Sequence, residues 1–350
     1  MKDYLSWHRQ HHPQMQAQDL VKLAFQSLCG CGHLLADEAV VTSRIEVEQS
    51  ALSPDAQEPL FEPLGAHIRL NLRRAMAEGI EPAWMARMML HSAEQTPVAT
   101  DRQSVCSAAE NLPVDGFSFS QEELSAAAQR LVQEPNWIPG HTPAYRAAYS
   151  PAYRVISQRY EYLLPALCAL GKLRVKERIL VCIDGPCGSG KSTLAKLLAE
   201  ITGAAQISMD DFFTPHAQKT PERLAQPAGN ADIERFCAEF LQPWLANGTA
   251  AYRPYLCHSD TFGEAVTVPQ RRVTIIEGSY SLHPDIRRHA DLCLFLTISS
   301  EEQRKRIEAR NGSEMLQRFL STWIPLEQAY FDAFHLPDQG CVVLSSETDV

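Results

Sequence analysis

The residues best suited to chemistry lie in one short run, Gly185-Pro186-Cys187-Gly188-Ser189-Gly190-Lys191-Ser192-Thr193, which fits G-x-x-x-x-G-K-[ST] at every fixed position. Glycines let the backbone curl so that successive N–H groups converge on phosphate oxygens, and a helix opening at Lys191 would turn its positive end toward the same anion. The Lys191 ammonium would reach the outer phosphates, and the Ser192 hydroxyl would be a ligand of Mg²⁺. The motif requires a strand before it and a helix after it. The apolar run Ile179 to Ile183 and the helix-forming segment from Lys191 supply that context, which a chance glycine turn would lack.

The elements that must hold this loop follow the pattern of a parallel sheet flanked by helices, with short apolar runs alternating with helical segments from Lys172 onward. Strands are predicted over 179–183, 205–209, 273–277, 292–297 and 341–344, and helices over 191–201, 232–246, 299–310 and 313–334. Ligands of open sheets bind beyond the carboxyl ends of the strands. The second strand ends in Met209-Asp210-Asp211-Phe212-Phe213. There a carboxylate could accept the proton of an attacking hydroxyl, and an aromatic ring could cover a planar or apolar substrate part. Capping of a helix is the alternative role for one of the two aspartates. The third strand ends in Glu277-Gly278, which offers a carboxylate for Mg²⁺ or its waters. A basic helix carries Arg304, Lys305, Arg306 and Arg310, and Arg306 and Arg310 share a face. It reads as an arginine lid over phosphates, the alternative being a solvated basic face.

A length of 350 residues predicts about two domains. With 32 Lys and Arg against 42 Asp and Glu, the net charge of −10 argues against general affinity for nucleic acid or an anionic membrane. There is no signal-peptide pattern and no apolar stretch near the ~20 residues of a membrane span, so the chain reads as cytoplasmic. Ten scattered cysteines without a C-x-x-C pair suit a reducing compartment. The tight Cys29-Gly30-Cys31-Gly32-His33 cluster reads as a turn ending a helix rather than a metal site.

The front of the chain predicts a mostly helical domain over 1–134. Its amphipathic helices fall near 14–28, 82–93 (Met85, Met88 and Met89 as core) and 121–133, the last opened by the capping box Ser120 to Glu123. Residues 135–171, dense in Tyr and Arg, read as an interdomain connector, with base stacking the weaker alternative. Residues 172–350 form the third segment. Nothing before residue 171 names a chemistry.

Together, GPCGSGKST, MDDFF, Gly229-Asn230-Ala231-Asp232, the Tyr252/Tyr255/His258 region, IIEGSY and the arginine helix resemble the uridine kinase and phosphoribulokinase family of P-loop kinases. The resemblance covers roughly the last half of the chain. It implies an α/β P-loop sheet using ATP and Mg²⁺, with Asp210 as catalytic base and Lys191, Arg306 and Arg310 on the phosphates. It further implies that Asp232 binds ribose hydroxyls, that Tyr252 and His258 line the acceptor pocket together with Asp211 and Phe212, and that Ser192 and Glu277 serve the metal. The expected activity is transfer of phosphate to a hydroxyl of a small molecule, first of all a nucleoside. Alternatives are another sugar, vitamin or hydroxy compound, or a nucleotide-sensing regulator. A GTPase switch is disfavoured, because the chain has no Asn-Lys-x-Asp sequence and Glu277-Gly278 is not a switch-loop Asp-x-x-Gly.

Overall fold

The computed structural model describes residues 4–31, 37–95 and 101–346. The chain divides into two compact units, residues 1–161 and 162–350.

In the first unit the helices are α1 (Tyr4–His11), α2 (Ala17–Cys29), α3 (Glu38–Ser50), α4 (Leu72–Glu78), α5 (Pro82–Gln95), α6 (Arg102–Glu110), α7 (Gln121–Gln133) and α8 (Pro143–Tyr149). They surround an antiparallel sheet of β1 (Phe61–Leu64), β2 (His67–Asn71) and β3 (Tyr153–Ser157), in that order. The β1–β2 hairpin turns at Gly65, whose φ of 68° is open to glycine at little cost. The predicted capping box is present, with Ser120 Oγ accepting from Glu123 N and the Glu123 carboxylate from Ser120 N. Met85, Met88 and Met89 are buried core residues, as expected of methionines on an inward helix face. Cys31 donates to the Met89 carbonyl at 3.3 Å. Gly32 and His33 of the cysteine cluster lie outside the described residues.

The Tyr/Arg tract is not a separate connector. Residues 135–161 belong to the first unit, where Tyr145 stacks on His141 at 4.1 Å and Arg69 lies 4.6 Å over the Tyr153 ring. The buried Asp19 carboxylate accepts from Thr142 N and Thr142 Oγ1 and meets His141 Nδ1 at 3.1 Å. These aromatic and cationic side chains pack apolar bodies while their polar tips find partners inside the unit.

The second unit opens with α9 (Leu164–Gly171), which packs on the edge of its sheet. The sheet contains β4 (Ile179–Asp184) and β5 (Ala205–Ser208), and later β10 (Val273–Glu277), β11 (Leu292–Thr297) and β12 (Cys341–Ser345). All five are parallel, in the order β12-β11-β4-β10-β5. Central strands covered on both faces are mainly apolar, and every residue of β4 and β10 is buried, including Asp184 and Glu277 at their carboxyl ends. Between β5 and β10 lie two small hairpins, β6 (Ala250–Tyr252) with β9 (Val266–Val268) and β7 (Tyr255–Leu256) with β8 (Thr261–Phe262). Helix α10 (Lys191–Thr202) follows β4, and α11 (Pro221–Leu224), α12 (Ile233–Phe236), α13 (Gln242–Asn247) and α14 (Pro284–Arg287) are short. The helix predicted over 232–246 divides at a π-helical turn, Cys237–Leu241, ahead of Pro243, which can donate no backbone hydrogen bond. Helix α15 (Ser300–Arg318) bends at Gly312 (φ 81°), and after a second π turn α16 (Ile324–Phe334) carries Pro325 in its first turn. No helix of the described residues is long and apolar enough to cross a membrane.

Helix α9 sets where the second unit can be cut. Leu164, Leu167 and Leu170 are fully buried, and burying each leucine contributes about 1.5–3 kcal/mol. A fragment of residues 162–350 is therefore expected to be soluble and to unfold cooperatively. One starting at residue 172 loses a sum comparable to the net stability of a domain and is expected to unfold or aggregate. Thermal denaturation of the two fragments compares them, and equal stability would show that α9 is dispensable.

Candidate active site

Strand β4 delivers the phosphate loop from the middle of the sheet, at the carboxyl end where two neighbouring strands diverge. Gly185 has φ 140°, and a Cβ there would collide with the Leu296 carbonyl oxygen, so only glycine lets the loop pass β11. Gly190 (φ 90°) has open space where a Cβ would stand. Lys191 is buried, and its Nζ donates to Gly185 O at 2.7 Å and Pro186 O at 3.1 Å, so the ammonium lies folded along its own loop.

Residues 187–193 line a cavity of about 1020 Å³ that also takes in Asp210, His258, Glu277, Arg306 and Arg310. Folding thus brings to one space the loop, one aspartate of the second strand end, the carboxylate of the third and both lid arginines. Ser192 Oγ donates to Glu277 Oε2 at 2.8 Å. This hydroxyl and carboxylate form an all-oxygen pair suited to Mg²⁺, and Ser189 Oγ is buried in the loop without a partner in the described residues. The donor set therefore fits an Mg²⁺-bound polyphosphate. Asp210 opens onto the cavity, and the protein walls around it raise its pKa by desolvation. The Glu277 charge adds to this, while Lys191 pulls the other way. Arg306 is braced by Glu302 Oε1 at 2.8 Å and donates to Ser346 O at 2.6 Å.

Four expected substrate contacts sit elsewhere. Phe212 is fully buried, packed against Phe236 and Tyr252 with Arg235 4.4 Å over its ring, and the neighbouring Phe213 lines the cavity instead. A 3₁₀ turn over Met209–Phe212 sends successive side chains in different directions, so the apolar ring nearest the core is buried. Asp211 and Tyr252 form a pair behind the cavity wall, with Tyr252 Oη donating to Asp211 Oδ2 at 2.7 Å. Asp232 caps α12, accepting from Arg235 N at 3.0 Å and lying near Arg223 and Arg235. Asn230, two residues earlier, is the member of that stretch on the cavity wall.

Three supports of the loop have no signature in the sequence. Asp184 accepts from Gly185 N, Leu282 N and Tyr330 Oη at 2.7–2.9 Å, tying β4 to the β10–α14 loop and to α16. Burial pushes its pKa up to about 6, against the pull of Lys191 and these donors. Glu327 of α16 accepts from Cys187 N at 2.8 Å and from Ser279 Oγ at 2.5 Å. Gln303 of α15 donates to Cys187 O at 2.8 Å. The Cys187 peptide is thus gripped from both helices that carry or follow the arginines.

The chain matches no protein-family profile. Two curated relatives are cytidylate kinases. That of Geobacter sulfurreducens is 32% identical over 89 residues, 25% of this chain and 36% of that enzyme. That of Rhodococcus jostii is 26% identical over 167 residues, 39% and 71% of the two chains. The chain thus spans about a third of the length of the first. Among solved structures, a possible uridine kinase from Bacillus stearothermophilus is similar over 53% of this chain and 97% of its own, with a TM-score of 0.42 and 20% identity. A proposed fructose transport system kinase from a Silicibacter species is similar over 48% and 94%, with a TM-score of 0.40 and 26% identity. The second unit is a five-stranded parallel sheet flanked by helices, with the phosphate-loop sequence after its central strand. Both structural likenesses cover about half of this chain.

Proposed function

We propose that the second unit is an ATP-dependent kinase that phosphorylates a hydroxyl of a small molecule, in the manner of a uridine kinase. The observation that carries this is the shared cavity: a solvent-open carboxylate with a raised pKa, Asp210, faces the same space as the phosphate loop and the Ser192–Glu277 pair. A carboxylate held beside the loop in this way is what a general base for an acceptor hydroxyl requires.

In this reading the loop N–H groups and the α10 N-terminus hold the polyphosphate of ATP. Lys191 leaves the Gly185 and Pro186 carbonyls for the outer phosphates. The acceptor hydroxyl gives its proton to Asp210 as its oxygen attacks the terminal phosphorus, and ADP is the leaving group. Arg306 and Arg310 sit where negative charge grows on the transferring group. Ser192 and Glu277 would hold Mg²⁺, which would supply charge neutralisation for the polyphosphate. Asn230, Phe213 and His258 line the remaining wall, where the acceptor would lie.

The cytidylate kinase relatives support a phosphotransferase, and the uridine-kinase motifs favour a nucleoside acceptor. The test is ATP consumption by the full chain across nucleosides, pentose phosphates and small hydroxy acids. Turnover with a nucleoside well above the acceptor-free rate is expected. Preference for another hydroxy compound would move the substrate class, and ATP binding without acceptor-dependent turnover in any case would mark a nucleotide-sensing protein.

A further inference from the structure

The first unit holds a second group of chemistry-bearing side chains, unconnected with the kinase reading. His8 lies on α1, His12 just beyond its end, and Glu62 on β1, with the ligand-type atoms of all three within 4.8 Å of one another. His8 and His12 are buried. Their Nδ1 atoms face each other at 3.1 Å. Two nitrogen lone pairs cannot face each other at that distance unless a proton or a cation lies between them.

The outer nitrogens decide which form each ring takes. His8 Nε2 lies 2.9 Å from the Pro63 carbonyl oxygen, which can only accept, so Nε2 carries the hydrogen. The tautomer with its hydrogen on Nε2 turns a bare Nδ1 toward His12. His12 Nε2 lies 3.4 Å from Glu62 Oε1, again an acceptor, so the tautomer with its hydrogen on Nε2 turns a bare Nδ1 toward His8. Glu62 is in turn held by Arg69, whose Nη1 is 3.4 Å from Oε2. Each imidazole thus has its far N–H fixed by a carbonyl or a carboxylate. That is the outer-shell arrangement that orients metal-ligating histidines and makes them more basic.

We propose that His8 and His12 bind a divalent transition-metal ion of the imidazole-preferring kind, such as Zn²⁺, between their Nδ1 atoms, with Glu62 and the Pro63 carbonyl orienting the rings. At metal–nitrogen distances of about 2.0–2.1 Å, a separation of 3.1 Å corresponds to a ligand angle of roughly 100°, between the square-planar and tetrahedral values. The described residues place no His, Cys, Asp or Glu beyond these three in the group. The two ligands lie four residues apart, and the Pro63 carbonyl and Glu62 carboxylate, about 50 residues on, hold their rings against β1.

The competing arrangement is a proton in the same place, with His12 an imidazolium between His8 and Glu62. The test uses the full chain stripped with a chelator and then titrated with Zn²⁺ and Co²⁺ in millimolar Mg²⁺, which keeps the kinase site filled. Expected are one equivalent of tight binding, a nitrogen-ligand Co²⁺ absorption spectrum, and a thermal midpoint that rises with Zn²⁺ but not with further Mg²⁺. His12→Gln should remove the binding, and Glu62→Gln should weaken it 10- to 100-fold. His11→Gln, next door but exposed and stacked on Trp7, should leave it unchanged. If the His12 variant does not fold, the wild-type spectrum and the Glu62→Gln affinity still decide. No binding by the wild type, or binding indifferent to both His12→Gln and Glu62→Gln, overturns the proposal and leaves the shared proton.

Discussion

Lys191→Met is expected to lower acceptor-dependent ATP turnover by at least about 10²- to 10³-fold, the usual loss when one preorganised donor to transition-state charge is removed. The methionine keeps the apolar stem but cannot follow the migrating phosphoryl group. The structure adds a second consequence. Because Nζ donates to the Gly185 and Pro186 carbonyls, the variant also leaves Gly185 O without this donor and Pro186 O with Ser189 N alone. The nucleotide-free protein should therefore lose some stability, by about 1–3 kcal/mol if those carbonyls find no water. Turnover with the best acceptor of the panel and thermal unfolding without nucleotide measure the two effects. Wild-type turnover in the variant would refute the assignment of this loop to phosphate binding.

Asp210→Asn isolates the proposed base. It preserves shape and most hydrogen bonding but cannot take a proton, so turnover should fall by ~10²- to 10⁴-fold. Affinity for ATP should hardly change, since the loop and Lys191 make those contacts. The pH dependence carries a second signature. A base must be ionised to act, and desolvation together with the Glu277 charge raises the Asp210 pKa. The acid limb of kcat/KM for the acceptor should therefore lie above the ordinary aspartate range near 3.9, with activity rising as pH climbs through it. In the Asn variant the residual activity should lose that limb. Unchanged turnover with weakened ATP binding would instead move Asp210 to the metal's surroundings. Asp211 would be a poor replacement, because its carboxylate is engaged by Tyr252 behind the cavity wall.

The sequence alone determined whatever depends on neighbours along the chain. The phosphate loop is a matter of glycine positions within nine residues. The three central strands β4, β10 and β11 are mostly apolar runs because both faces of the sheet are covered there, which makes them legible without any detail of packing. The capping box at Ser120 is likewise local. Strand-end residues Asp210 and Glu277 could be singled out because open parallel sheets bind ligands at that end.

Tertiary structure decided the rest, because it joins residues that no spacing rule connects. A run of Asp-Asp-Phe-Phe does not say which ring faces the core, and the 3₁₀ turn settles it by burying Phe212 and leaving Phe213 on the cavity. Asp232 could have bound substrate or capped a helix, and the entry into α12 spends it as a cap. Glu327 meets Cys187 N from 140 residues away, and its place in a helical pattern looks like that of any other glutamate. The Tyr/Arg tract has the composition of a domain interface. Its residues up to 161 are drawn into the first unit because β3 has a partner in β2 and Asp19 has partners in His141 and Thr142. His8 and His12 are four apart on an apparently polar stretch, and only the hairpin that brings Glu62 and Pro63 against them fixes their tautomers and turns two ordinary histidines into a pair of facing ligands.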